Sequence, residues 1–163
     1  PEAVRLAALL ASHPADAVQL AARIAISECK NYYNCEHTVP KVWTGGDKVA
    51  EGDLHHLFTA QRALNEGRGA RKLTETNPPH GQGELARATL YFLLRYPGEI
   101  GDHPGEYTRD ELNTLLQWHR DNPVTLHEHH RNQAIFELQG NRNPLIDHPE
   151  WADRIDFAQG LAR

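Results

Sequence analysis

Between Gly83 and Tyr96 the chain carries Leu85, Ala88, Leu90, Tyr91, Phe92, Leu93 and Leu94, a run of helix length that is apolar on nearly every face. Such a helix is stable only when other elements cover it on several sides, so it predicts the centre of a helical core. Stripes at helical spacing supply the covering elements. Ala3, Leu6, Ala7, Leu9 and Leu10 form one, and Pro14 opens a second through Val18, Leu20, Ala21, Ile24 and Ile26. Thr108 with Glu111, and Thr125 with Glu128, have the spacing of capping boxes. They open helices through Leu112, Leu115, Leu116 and Trp118, and through His130, Ala134, Ile135 and Leu138, the second ended by Gly140. A last helix is expected from Pro149, taking in Trp151, Ile155 and Phe157.

Residues 31–58 differ in character, with aromatics, β-branched residues and turn formers in place of alanine. Gly45-Gly46-Asp47 reads as a turn between two short extended segments, and Asp53 to Phe58 as the second strand. Thr59 sits where an N-cap belongs, before a helix that Gly67 stops near Arg68. The expected fold is therefore α+β: a mainly helical single domain over residues 1–163 with one small ββα unit. Residues 1–30 form N-terminal helices, 31–68 the ββα unit and 82–157 the helical part.

A chain of 163 residues is long enough to bury about two-thirds of its unfolded surface. No apolar run reaches the roughly 18 residues that span a membrane, so no membrane partner is expected. The formal charge of −5 speaks against a broad basic surface for nucleic acid, though not against a local positive cleft beside a metal ion. The chain starts at Pro1 and has no Met, which suggests a removed leader or tag. Cys29 and Cys35 are close enough for a disulfide, pointing to an oxidising compartment; the alternative is a pair of reduced thiols.

The chemistry concentrates at Glu36-His37, with Asn65 following 28 positions after the histidine. Glu36 offers a hard anionic oxygen and Asn65 a neutral one, a set that suits Mg²⁺, Mn²⁺ or Ca²⁺ with water filling the other positions. His37 has the ordinary pKa of a base that works near neutrality and would deprotonate water attacking a phosphodiester. Neighbours in a strand point to opposite faces, so the two can serve one site only if the strand ends or bulges there, as Pro40 suggests. Glu51 and Asp53 alternate on the expected second strand; one could bind the metal through water or orient His37, or both are solvated edge carboxylates. His55-His56 looks like a metal pair, but adjacent strand histidines diverge, and one is expected to be structural. His127-Glu128-His129-His130 lacks the spacing of the zinc-protease motif and reads as a capped, solvated helix start. Arg62, Arg68, Arg71, Arg87 and Arg131 are the candidate phosphate contacts, with Arg68 and Arg71 best placed and Arg87 and Arg131 open to structural ion pairing.

The C-terminal half carries a resemblance. Gln139-Gly140-Asn141-Arg142-Asn143-Pro144-Leu145-Ile146-Asp147-His148-Pro149-Glu150 is similar to the signature of the bacterial endonuclease I family, non-specific nucleases of the ββα-metal (His-Me finger) class. Trp118-His119, Arg131-Asn132, Gly83 to Ala88, Glu36 to Pro40 and Asp53 to Leu57 resemble further motifs in the same order, over roughly residues 32–150. The resemblance implies His37 as general base, Glu36 and Asn65 as metal ligands, and Arg68 as an arginine that approaches phosphate. It makes the Asp53–Leu57 strand largely structural, and the residues themselves leave Glu51, Asp53 and His55 as candidates to support the site from behind the ligands. It implies a Mg²⁺-dependent endonuclease acting on DNA and perhaps RNA with little sequence preference, secreted or periplasmic, leaving 5′-phosphate and 3′-hydroxyl ends. A monomer is expected. Gly69-Ala70 departs from the family's usual Ser-Asn after the arginine, and Thr59-Ala60 from its usual proline-bearing helix entry. Two rivals stand beside this reading: a zinc hydrolase built on the eleven histidines, and a non-catalytic nucleic-acid-binding module.

Overall fold

The structure, a computed structural model, describes residues 32–162. The helices expected in residues 1–30, and Cys29 with its expected bridge to Cys35, lie outside the described residues. Contacts divide the chain into two units, one of Pro1–Cys35 and Thr59–Gly67, the other of Glu36–Phe58 and Arg68–Arg163.

The larger unit is built around the helix that the sequence makes central, α4 (Gln82–Arg95). Its Ala86, Leu90, Phe92 and Leu93 join one buried cluster with Leu112, Leu115 and Trp118 of α5 (Arg109–Asp121), Leu145 of α7 (Pro144–Asp147), and Phe157. Each fully buried Leu or Phe in such a cluster stabilises by roughly 1.5–3 kcal/mol. Gly83 lies at a close approach: a Cβ there would meet Asn122 Cβ at 2.6 Å, so a side chain would push the start of α4 off the end of α5. Both capping boxes form, and α6 (Leu126–Gln139) ends at Gly140 with a left-handed φ of 82°. The last expected helix is two 3₁₀ turns instead, Pro149–Arg154 and Phe157–Gly160.

Polar side chains buried in this core are tied in pairs. Arg87 of α4 grips Glu128 of α6 through both carboxylate oxygens, at 2.5 and 2.8 Å. Asn132 accepts the Asn143 N–H at 2.8 Å, and the Asn143 side chain caps α7 by accepting from the Leu145 N–H at 3.0 Å. Arg142 closes the turn on Asp147. The Gln139–Glu150 motif is thus a lock that holds α7 to α6 and α4.

The ββα region departs from the expected layout. Strand β1 (Tyr33–His37) and β2 (Leu57–Gln61) pair in a two-stranded antiparallel sheet. No strand borders the Gly45-Gly46 turn. Pro40 leads into a 3₁₀ turn at Lys41–Trp43, and Asp47 caps a short helix, α1 (Lys48–Gly52), by accepting from the Val49 N–H. Asp53 likewise accepts from the His55 N–H at 2.9 Å and winds Leu54–His56 into a 3₁₀ turn, so the strand begins four residues later than Asp53. An aspartate that satisfies a backbone N–H two residues on favours a turn over a ladder. Thr59, the expected N-cap, is a strand residue, and α2 runs over Arg62–Arg68. The short α3 (Leu73–Thr76) follows.

Candidate active site

Glu36 and His37 are the last two residues of strand β1, which runs unbroken to His37. Glu36 is buried, and Arg68 holds its Oε1. The same guanidinium donates to the carbonyls of His37 and Thr38, each at 2.8 Å, and its Nε–H to the Arg71 carbonyl at 2.9 Å. Four of the five N–H groups of an arginine are thereby used. The other carboxylate oxygen, Glu36 Oε2, is buried with no hydrogen-bond partner among the described residues. Burial pushes the Glu36 carboxyl above its ordinary value, outweighing the pull of Arg68 in the opposite direction. This donor set, an anionic oxygen fixed in place and lacking a donor, fits a hard cation.

His37 is oriented by a backbone group. Its Nε2 lies 3.1 Å from the Glu51 carbonyl, and the neighbouring His56 Nε2 lies 2.8 Å from the Ala50 carbonyl. Both carbonyls belong to the last turn of α1, where the helical ladder runs out; that of Ala50 also accepts the Asp53 N–H at 3.4 Å. A carbonyl only accepts, so each Nε2 carries the proton and each Nδ1 the lone pair. Burial lowers the His37 pKa, with the Glu51 carbonyl acting against that shift and the Lys41 charge adding to it. The expected orienting role of Glu51 is thus exerted by its main chain. Its carboxylate faces away from this task, bonded to Lys48 at 2.7 Å.

Asn65 belongs to the smaller unit. Its amide donates both hydrogens, to Asn34 Oδ1 at 2.8 Å and to the Cys35 carbonyl at 3.1 Å. That fixes the amide so that Oδ1 keeps its lone pairs.

The profile of the Endonuclease I family matches residues 11–81 and 76–150. The chain belongs to the Endonuclease I family. An extracellular ribonuclease of Bacillus amyloliquefaciens is 33% identical over 158 aligned residues, covering 76% of this chain and 53% of that protein. An extracellular deoxyribonuclease of Aeromonas hydrophila is 30% identical over 120 residues, covering 60% and 50%. A periplasmic deoxyribonuclease of the same organism is 30% identical over 121 residues, covering 60% and 48%. The chain spans about half the length of the curated relatives it matches. The family and these relatives are nucleases.

Several side chains expected at the site of this Endonuclease I chain have other tasks. Asp53 is buried and filled: Oδ1 accepts from His55 N–H and Gln139, Oδ2 from the hydroxyls of Tyr91 and Tyr96. Burial alone would raise its pKa, but these four donors outweigh it and hold the carboxyl below its usual range. His55 and His56 are both buried and structural, where one was expected; His55 Nε2 lies 3.1 Å from the Asn141 carbonyl. Arg87, expected among the phosphate contacts, is 1% exposed and consumed by Glu128 and the Asn122 carbonyl, so it cannot reach a polyanion. Arg131 donates to the carbonyls of Leu54 and Leu57 and covers the Phe58 ring. Arg68, also expected to meet phosphate, is 8% exposed and acts as a clamp on Glu36 and the end of β1. Of the arginines expected at phosphate, Arg62 and Arg71 are exposed. In the His127–His130 cluster, Glu128 is the buried partner of Arg87, while His127 meets Glu84 at 2.8 Å on the surface. Sequence reasoning missed the Glu51 carbonyl. Its signal was Asp47 followed by Lys-Val-Ala-Glu, which is an N-cap and four helix-compatible residues.

Proposed function

We propose that this chain hydrolyses phosphodiester bonds of DNA and RNA, with Mg²⁺ as cofactor and Glu36 and Asn65 as its protein ligands. The observation that carries this reading is Glu36 Oε2, a buried carboxylate oxygen that meets no donor among the described residues. Such an oxygen is costly unless a cation or donor meets it. Asn65 Oδ1, left open by the amide's two donated bonds, would add a neutral oxygen. Two protein oxygens suffice for Mg²⁺, and Mn²⁺ or Ca²⁺ would accept the same ligands. When bound, the ion supplies Lewis-acid polarisation of the phosphodiester and compensates its developing charge.

His37 acts as general base. Its Nε2–H is anchored on the Glu51 carbonyl, so Nδ1 takes the proton from the attacking water, and burial favours the neutral imidazole that this step needs. Arg68 positions Glu36 by occupying Oε1, which leaves Oε2 for the cation. Relatives named as ribonuclease and as deoxyribonucleases support action on both polymers, and their extracellular or periplasmic names support an exported enzyme. Among the described residues no three His, Cys, Asp or Glu side chains gather as a metal site, so the zinc alternative finds no ligand set there. Supercoiled plasmid and a single-stranded RNA, each incubated with Mg²⁺ and with EDTA, test the proposal. Cleavage of both in Mg²⁺ and of neither in EDTA is expected. Intact substrates in Mg²⁺, Mn²⁺ and Ca²⁺ alike would leave only the non-catalytic binding module.

A further inference from the structure

Of the arginines expected to meet phosphate, Arg68 and Arg87 are buried and Arg131 is tied to backbone carbonyls, which raises the question of what guides a polyanion on a chain of net charge −5. A groove of about 510 Å³ in the larger unit offers an answer. Lys48 and Arg95 stand on its walls, and Asp53, Tyr96, Gln139 and Asn141 line it between them. Its polar side chains are engaged: Gln139 donates to Asp53 Oδ1 and Asn141 Oδ1 and accepts the Leu54 N–H, and Asp53 carries four bonds. Asp47 is spent on capping α1. Two cationic tips remain. Arg95 has no ion-pair partner among the described residues; its guanidinium lies 5.2 Å from the centroid of the Tyr96 ring. Lys48 has a side chain 81% exposed and one bond, to Glu51 at 2.7 Å, a surface pair that holds it weakly and leaves two of its three donors open.

Lys48 begins α1, the helix whose Glu51 carbonyl anchors His37, so the groove starts one short helix from the base. We propose that this groove binds the sugar-phosphate backbone of the nucleic-acid strand beyond the scissile phosphate, with Lys48 and Arg95 as its phosphate contacts. The inference rests on the nuclease reading above. The polar side chains between the two cations are bonded to one another and to the backbone, which suits backbone contact without sequence preference.

Binding of a fluorescein-labelled single-stranded oligonucleotide, followed by anisotropy in EDTA across a salt series, tests the groove without requiring catalysis. Arg95→Glu is expected to weaken binding about tenfold at low salt and to flatten the log K against log salt slope by about 0.7. Arg109→Glu makes the same charge change at an exposed site away from the groove and is expected to bind as wild type does. With Mg²⁺, Arg95→Glu should also lower the ratio of kcat/KM on plasmid to that on bis(4-nitrophenyl) phosphate, which fills only the scissile position. An Arg95→Glu protein that matches wild type in affinity and salt slope overturns the groove while leaving the nuclease reading intact. So does one that loses both substrates equally. A wild type that binds in EDTA but cleaves nothing with any metal sinks the nuclease reading and keeps the groove. A wild type that does not bind the oligonucleotide sinks the groove.

Discussion

His56 should make this protein lose stability in mild acid, by roughly 2–3 kcal/mol. The imidazole is 0% exposed, edge-on to Phe92 and to His37 at ring-centroid distances of 5.1 and 5.4 Å. Nε2–H donates to the Ala50 carbonyl, and the unprotonated Nδ1 is buried with no partner among the described residues. Adding a proton there creates both a charge and an N–H with nowhere to donate. Burial therefore pushes the His56 pKa down from 6.5 to about 4. In the unfolded chain the ring titrates near 6.5, so between those values the unfolded state binds the proton and the folded state does not. The stability present above pH 6.5 is lost as the pH falls towards 4. One such site corresponds to about 2 kcal/mol at pH 5 and about 3 kcal/mol at pH 4. Two more buried histidines share the arrangement, His55 on the Asn141 carbonyl and His119 on the Pro149 carbonyl, each with an orphaned Nδ1 and a pKa lowered first by burial.

The variant that isolates the effect is His56→Gln. A glutamine amide occupies the place of Nε2–H and can still donate to Ala50, but it does not titrate. Some loss of packing at neutral pH is expected, because the ring contacts with Phe92 disappear. The informative quantity is the change in that difference with pH. Urea unfolding, read by tryptophan fluorescence at pH 7.5 and again at pH 5, should show wild type losing about 2 kcal/mol more than His56→Gln over that interval. Contributions from Glu36, His55 and His119 are common to both proteins and cancel in the comparison. Equal losses in the two proteins, within about 0.5 kcal/mol, would refute the assignment of a neutral, trapped His56.

Other outcomes follow from the same geometry. His37→Ala should reduce plasmid nicking by about 10²–10⁴-fold with the fold and Mg²⁺ binding retained, and near-wild-type turnover in single-turnover assays would remove His37 as the base. Mg²⁺ at about a hundred times its Kd should raise the unfolding free energy of wild type by about 2.7 kcal/mol, and Glu36→Gln should abolish that gain; an equal gain in the variant would exclude Glu36 as a ligand. Arg87→Met leaves Glu128 charged in the core and should cost about 3–5 kcal/mol in urea unfolding, whereas a cost below about 1 kcal/mol would mean that the pair is not desolvated.

The parts of the fold legible from sequence were those set by short-range rules. An all-round apolar run placed α4 at the centre, two Thr-x-x-Glu boxes started α5 and α6, and Gly140 ended α6. The ββα region was read less well because two aspartates overrode the alternation of apolar residues. Asp47 and Asp53 each satisfy a backbone N–H two residues on, and so turn expected strand into α1 and a 3₁₀ turn. The position of β2 then follows from where Asp53 releases the chain. No pattern of residue types announces this, because a capping aspartate and a solvated strand-edge aspartate look alike in sequence.

The same limit explains the arginines. A guanidinium that binds phosphate and one that ties a core together have the same letter and the same charge, and only burial separates them. Arg68 and Arg87 are both nearly buried, yet they do different work. Arg87 meets both oxygens of Glu128 and leaves that carboxylate without an open oxygen. Arg68 meets only one oxygen of Glu36 and spends its remaining bonds on the His37 and Thr38 carbonyls at the end of β1 and on the Arg71 carbonyl. A purely structural pair would be expected to close both oxygens, since an orphaned carboxylate oxygen in a buried place is costly. The asymmetry at Glu36, one oxygen fixed and the other without a donor among the described residues, is what the proposed cation site requires, whereas Glu128 is fully consumed by folding. It also makes the clamp testable apart from the ligand: Arg68→Met should raise the Kd for Mg²⁺ by freeing Glu36 to turn, with the metal-binding stoichiometry unchanged. An unchanged Kd in a folded Arg68→Met protein would show that Glu36 needs no such support.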